Sequence, residues 1–225
     1  MTIQENLLKI TQQIHAAELA AGRAVGSVQL LAVSKQQSAD NIRAAFEAGQ
    51  HCFGENYLQE ALIKMAMLAD LPIEWHFIGR LQANKTRLIA ENFAWVHTVD
   101  RASAAQRLND QRPLHLPPLQ ICIQVNLADE TQKAGVSPDE LPALAAFIAE
   151  LPHLKLRGLM LIPPENLTDA EAFATFQQLA KLQQALHLDT LSMGMSHDFP
   201  VAIAAGATLV RIGTAIFGNR TKVLK

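Results

Sequence analysis

Lys35 is the residue whose type and position most favour covalent chemistry. It follows a largely apolar segment over residues 28–34 that is predicted to be a strand, so its side chain starts at the edge of the protein interior. Partial desolvation lowers the pKa of a lysine amine and makes its neutral form available to attack a carbonyl. An ordinary surface lysine one residue past a strand is the alternative interpretation, and this feature alone does not exclude it.

Two short loops near the C-terminus have a composition that suits an anion. Residues 194–196 (Gly-Met-Ser) end one predicted strand, and Gly213 and Thr214 end the next, before a predicted short helix over residues 214–218. Small residues expose backbone N–H groups, hydroxyls add donors, and a helix N-terminus favours negative charge. The loops after the last two strands of a barrel frequently bind phosphate, whereas two tight turns without a ligand are the alternative.

Arg211 is predicted to point into the protein interior. It alternates with Val210 and Ile212, so its side chain faces inward if those two face the surrounding helices. A buried guanidinium needs an acceptor, which is either a ligand or an internal carboxylate. A lysine amine, two anion-binding loops and an inward arginine at one site together fit a phosphorylated aldehyde.

The elements that must position these residues alternate between strand and helix. Short apolar runs rich in β-branched residues begin after Gly26 and are separated by helical segments, which indicates repeated βαβ units and a parallel sheet. About eight units close a (β/α)8 TIM-type barrel, with an open doubly wound sheet as the alternative. All strands would then end at one mouth, where barrels bind ligands. The predicted strands cover residues 28–34, 51–54, 74–79, 95–100, 119–126, 154–162, 190–195 and 208–213.

The whole chain, residues 1–225, is predicted to form one domain. An amphipathic helix over residues 2–22 is expected to lie outside the barrel or to cover its N-terminal end. A hydrophobic content of 49% suits a large core, and a net charge of −2 without a dense basic run predicts neither nucleic acid nor membrane as a partner. The polar N-terminal segment and the two cysteines, expected to be buried thiols, favour a cytoplasmic protein.

Eight blocks in a fixed order carry a family resemblance that spans about residues 3–220. They resemble the pyridoxal-phosphate homeostasis protein family, which shares its barrel with the N-terminal domain of alanine racemase. The blocks are AVSK (32–35), FGENYLQE (53–60), EWHFIGRLQANK (74–85), HTVD (97–100), VN (125–126), RGLMLIP (157–163), LSMGMSHD (191–198) and VRIGTAIFG (210–218).

This resemblance implies pyridoxal 5′-phosphate (PLP) as cofactor and a role for each residue of the site. It implies a Schiff base on Lys35, phosphate binding by the two C-terminal loops, an arginine facing the pyridine nitrogen and an asparagine beside the ring. Met195 is a weaker assignment, and the mid-strand His76 is expected to be a core residue. The implied cofactor-binding residues are Lys35, Asn56, Met195, Ser196, Arg211, Gly213 and Thr214.

Two positions depart from the pattern that the family resemblance implies. Gln37 stands where many members have a second lysine, which leaves no role there for lysine in cofactor transfer. His197 stands where an aspartate is common, and it would add a titratable group beside the phosphate loop.

The residue types also indicate whether the site catalyses a reaction on bound PLP. PLP is the strongest electron sink when its ring nitrogen is protonated, and an arginine cannot supply that proton, so aminotransferase-type chemistry is disfavoured. The alanine racemase base is a tyrosine from a second domain, and nothing in the sequence places the single tyrosine, Tyr57, across the ring. We therefore expect a monomer that stores, buffers or delivers PLP to apo-enzymes. An amino-acid racemase and a Schiff-base aldolase acting on sugar phosphates are the alternatives.

Overall fold

The barrel predicted from the alternating pattern is confirmed. The computed structural model describes residues 2–127 and 134–218, in which eight parallel strands form a closed barrel. Each strand pairs with the next along the chain, and the first pairs with the last. The strands are β1 (Gln29–Val33), β2 (Cys52–Glu55), β3 (Glu74–Phe77), β4 (Trp95–Val99), β5 (Leu119–Gln124), β6 (Leu154–Met160), β7 (Thr190–Ser192) and β8 (Leu209–Ile212).

Helices connect the strands on the outside. Besides the helices over residues 2–22 and 214–218, the sequence predicts helices over residues 39–49, 56–68, 138–151 and 168–186, and all six are present. Three further helices were not predicted, because Thr86–Asn92 (α4) and Phe199–Ala204 (α8) span only seven and six residues and Ala102–Gln111 (α5) is mostly polar. Their apolar faces are too short or too sparse to give a helical period. The helices are α1 (Ile3–Ala20), α2 (Ala39–Glu47), α3 (Leu58–Met67), α4 (Thr86–Asn92), α5 (Ala102–Gln111), α6 (Leu141–Ala149), α7 (Asp169–Ala185), α8 (Phe199–Ala204) and α9 (Thr214–Phe217).

The N-terminal helix α1 lies outside the barrel, which was one of its two expected positions. Thr2 and Glu5 form a capping box at its start. The helix packs against α2, α8 and α9. The Asn6 side chain donates to the backbone oxygen of Ile216 at 2.8 Å, so α1 also anchors the short last helix.

The expectation for the cysteines is half confirmed. Cys122 is buried in the middle of β5, but Cys52 is only half-buried, which corrects the prediction for that residue. Cys52 is the first residue of β2, so it lies at the N-terminal mouth of the barrel instead of its middle. Within the described residues no helix is long and apolar enough to cross a membrane.

Candidate functional site

The predicted site residues converge on one cavity at the carboxyl ends of the strands. The cavity has a volume of about 320 Å³, within the usual range for small-ligand sites. All seven predicted cofactor-binding residues line it, and so do four apolar residues that the sequence did not single out. The lining residues are Val33, Lys35, Asn56, Ile78, Met160, Ile162, Met195, Ser196, His197, Arg211, Gly213 and Thr214.

Lys35 lies on the wall of this cavity just after β1, and the backbone beside it is held firmly. Ser34 donates its backbone N–H to Gly54 at 3.0 Å and its hydroxyl to the Glu55 carboxylate at 2.6 Å. Gln36 follows with a φ of 60°, a left-handed conformation that costs energy for a residue with a side chain. The chain therefore turns sharply at the point where the lysine side chain leaves the barrel.

A buried ion cluster behind Lys35 stabilises that turn. Lys64 of α3 donates to the backbone oxygen of Ser34 at 2.7 Å and to Glu55 at 2.8 Å, and it also pairs with Glu60. Glu60 in turn accepts the backbone N–H of Gln36. Sequence reasoning missed this cluster, although the spacing of Glu60 and Lys64, one helical turn apart, was a signal that they could pair.

Arg211 is buried and lines the cavity, as its alternation with Val210 and Ile212 predicted. The sequence predicted a ligand or an internal carboxylate as its acceptor, but not neutral oxygens of the protein. Within the described structure its guanidinium donates to Ser192 at the backbone oxygen (2.5 Å) and hydroxyl (2.8 Å), and to the backbone oxygen of Leu161 at 2.9 Å. Burial lowers the pKa of Arg211 to about 10, so it stays protonated at neutral pH.

Two histidines connect Arg211 to the opposite end of the barrel. The hydroxyl of Ser192 lies 2.8 Å from Nδ1 of His97, whose Nε2 lies 2.9 Å from Nδ1 of His76. Nε2 of His76 lies 3.0 Å from the Glu74 carboxylate. His76 is thus a fully buried core residue with both nitrogens bonded, as predicted. Burial holds the pKa of His97 well below its ordinary value, so this ring is neutral.

Asn56 lines the cavity and carries a buried acceptor that the described residues do not satisfy. Its Oδ1 is buried and has no hydrogen-bond partner within the described structure. The backbone of Asn56 is fixed by Gly79, because a Cβ on Gly79 would lie 2.0 Å from the Asn56 carbonyl oxygen. Buried polar atoms are normally paired, so an orphaned acceptor on a cavity wall points to a ligand that donates a hydrogen bond there.

The two C-terminal loops form the opposite wall. Gly194 has a φ of 92°, and a Cβ there would lie 2.6 Å from Ala202, so the turn into the loop requires glycine. The loop is closed by the buried Asp198, which accepts the Met195 N–H at 2.5 Å. Gly213 fits closely against Val33, with a Cβ position 3.0 Å from its carbonyl oxygen. Ser196 and Thr214 are exposed at the cavity edge.

The residues present fit PLP as a bound group. The cavity joins an amine just after β1, an orphaned amide oxygen, two loops with hydroxyls and the positive charge of the buried Arg211. A carbonyl, an aromatic ring and a phosphate dianion would each meet a matching group.

The fold and the site define the class of barrels that forms the N-terminal domain of alanine racemase, and the family model of that domain matches residues 6–221. The solved alanine racemase of Corynebacterium glutamicum shares the fold, with a TM-score of 0.66 at 18% identity over 100% of this chain and 65% of that one.

Relatives of similar length share more of their sequence with this chain than the alanine racemase does. The pyridoxal phosphate homeostasis protein of Pseudomonas aeruginosa is 56% identical, covering 97% of this chain and 96% of that protein. The Escherichia coli protein of the same name is 50% identical over 97% of each. A structure of PipY from Synechococcus elongatus with PLP bound superimposes with a TM-score of 0.84 at 41% identity, covering 96% of this chain and all of that one. The chain therefore belongs to the pyridoxal phosphate homeostasis protein family.

Proposed function

We propose that this protein binds PLP as a Schiff base on Lys35 and holds it for intracellular PLP homeostasis. The observation that carries the proposal is the convergence of Lys35, Arg211 and both C-terminal loops on one cavity. The PLP-bound PipY structure supports the choice of cofactor, because that protein shares the barrel over its whole length.

Each residue has a distinct role in this proposal. Ser196, Gly213 and Thr214 bind the phosphate through hydroxyl and backbone donors, and Met195 completes the first of these loops. Arg211 faces the pyridine nitrogen. Asn56 lies beside the ring, where its orphaned Oδ1 accepts a hydrogen bond.

The proposed role is storage, buffering or delivery with little turnover. When bound, PLP supplies an electron sink, which is strongest with a protonated ring nitrogen. Arg211 remains protonated near neutral pH and offers no proton to that nitrogen, because even its lowered pKa is about 10. Tyr57 is 52% exposed at the start of α3 and is not among the described residues that line the cavity, so a racemase would need another base. We place this function in the cytoplasm, where both cysteines stay free, and propose a monomer that passes PLP to apo-enzymes.

The absorbance spectrum of the purified protein tests the Schiff base. We expect a yellow protein whose colour is bleached by borohydride, with the reduced adduct on the peptide that contains Lys35. Lys35→Ala should be colourless, whereas Lys181→Ala, which removes an exposed lysine of α7, should keep the colour. A colourless wild-type protein that still forms a borohydride-trapped adduct with a sugar phosphate would instead support the aldolase alternative.

A second measurement separates a carrier from a racemase. The loaded protein is incubated with L-amino acids in heavy water, and exchange of the α-hydrogen is followed by NMR. We expect exchange no faster than with free PLP. Exchange well above that rate, lost in Lys35→Ala, would overturn the proposal of little turnover and leave the Schiff base intact.

A further inference from the structure

Three potential metal ligands meet at the N-terminal mouth of the barrel, opposite the cavity described above. Cys52 on β2 is paired in register with Glu74 on β3, and His76 lies two residues further along β3, on the same face as Glu74. The Glu74 carboxylate lies 3.5 Å from the Cys52 sulfur and 3.0 Å from Nε2 of His76. The three donor atoms all lie within 4.8 Å of one another.

We propose that Cys52, Glu74 and His76 bind a thiophilic divalent cation, with Zn²⁺ as the best chemical match. One sulfur, one nitrogen and one oxygen form a donor set that Zn²⁺ accepts and that hard cations such as Mg²⁺ do not prefer. The bond lengths of tetrahedral zinc place its ligand atoms about 3.4–3.6 Å apart. The Cys52–Glu74 separation already matches this range, and the other two separations require only a small movement of the partly exposed Cys52 and Glu74 side chains. Three protein ligands leave the fourth position open.

The buried surroundings of His76 support this assignment. A metal-binding histidine is usually oriented by a hydrogen bond from its second nitrogen, and Nδ1 of His76 lies 2.9 Å from the fully buried His97. The His76 ring also stacks on Trp95, with the ring centroids 5.4 Å apart and the planes nearly parallel. Nε2 of His76 is therefore held toward Cys52 and Glu74.

The triad is open to solvent on one side. The Glu74 side chain is 43% exposed, and Cys52 is half-buried. A second cavity of about 470 Å³, lined by Glu74, Trp95 and Arg157 among others, lies beside it. Arg157 stacks over Trp95, but its charge is balanced by an ion pair with Asp189. A cation can thus approach without meeting an unpaired positive charge from this arginine.

Two costs oppose binding and narrow the choice of cation. The Gln29 amide now donates to the Cys52 sulfur at 3.0 Å and must turn away. Burial, with the nearby Glu74 carboxylate, raises the pKa of the Cys52 thiol to about 11. A cation must therefore displace a proton from the sulfur, which favours an ion that bonds strongly to thiolate.

Cobalt substitution tests the site with a readout that PLP does not obscure. Full-length protein is titrated with Co²⁺, and the intense ligand-field bands of tetrahedral cobalt appear in the red, away from the yellow of PLP. We expect one equivalent with these bands and their loss when Zn²⁺ is added. The accompanying thiolate-to-cobalt charge transfer lies in the near-ultraviolet, where PLP absorbs, so it is measured in the Lys35→Ala background. Repeating the titration in the Lys35→Ala background gives the same result if the site is independent of the proposed cofactor.

Substitutions assign the ligands. Cys52→Ser should abolish the charge-transfer band, and Glu74→Gln, at a partly exposed side chain, should weaken cobalt binding at least tenfold, a factor seen even for groups around metal ligands. Cys122→Ala, which removes the other cysteine, should leave the spectrum unchanged. Absence of tetrahedral bands in the wild-type protein, or equal spectra in Cys52→Ser and wild type, would overturn the proposal.

Discussion

Lys64 and Arg211 are both buried cations, and the protein compensates them differently. The side chain of Lys64 extends from α3 toward the barrel and pairs with two carboxylates, those of Glu55 and Glu60. Arg211 lies inside the barrel, and its hydrogen bonds within the described structure go to neutral oxygens of Ser192 and Leu161. Both arrangements satisfy donors, but only Lys64 is paired directly with carboxylates, whereas the nearby Asp198 acts on Arg211 through its charge without a hydrogen bond in the described structure.

This difference separates a structural cation from one that is available to a ligand. The charge of Lys64 is balanced by the protein, so its role is to hold the turn around Lys35. Among the described residues, the charge of Arg211 is offset only by the nearby Asp198, without a direct ion pair, so it remains available to an anionic ligand in the cavity. The Lys64 cluster is itself not fully satisfied. The second carboxylate oxygen of Glu55 is buried without a hydrogen-bond partner in the described structure, and burial raises the pKa of this carboxyl.

The largest effect that this comparison predicts is on stability, at Lys64. Lys64→Met should lower the free energy of unfolding by about 3–5 kcal/mol, because it leaves the Glu55 charge buried without its partner. Urea unfolding of the cofactor-free protein, followed by circular dichroism, measures this loss.

A double variant provides the control. Lys64→Met with Glu55→Gln removes both charges of the more deeply buried pair, so it should be more stable than Lys64→Met alone. If the double variant is the less stable of the two, the loss comes from packing and not from the unpaired carboxylate.

A smaller loss is expected at Arg211. Arg211→Gln should cost about 1–3 kcal/mol in the same unfolding experiment, because it leaves only neutral acceptors without donors. It should also weaken PLP binding, measured by equilibrium dialysis, whereas Arg211→Lys should retain part of the affinity through its charge. An unfolding cost for Arg211→Gln equal to that of Lys64→Met would contradict the distinction between the two cations.

The sequence predicted the parts of the site that depend on strand ends, and missed the parts that depend on packing. Lys35 and Arg211 could be placed at the same cavity because parallel strands must bring their carboxyl ends to one mouth. The acceptors of Arg211 come from β7 and from the residue after β6, and no spacing in the sequence reveals such a contact. The Lys64 cluster joins α3 to the ends of β1 and β2 and was missed for the same reason. Cys52 was expected to be buried because its neighbours are apolar, but exposure depends on where along the strand a residue lies.

The smallest expected effect concerns Asn56, and it tests whether the cavity wall is built for a ligand. Asn56→Ala should leave the stability of the cofactor-free protein nearly unchanged, because the buried Oδ1 has no partner to lose in the described structure. The same change should weaken PLP binding about fivefold, equivalent to the roughly 1 kcal/mol of one hydrogen bond. Unfolding curves and equilibrium dialysis on the same preparations give both numbers. A loss of stability without a change in PLP affinity would mean that Asn56 serves the fold, and that the orphaned oxygen is not directed at the cofactor.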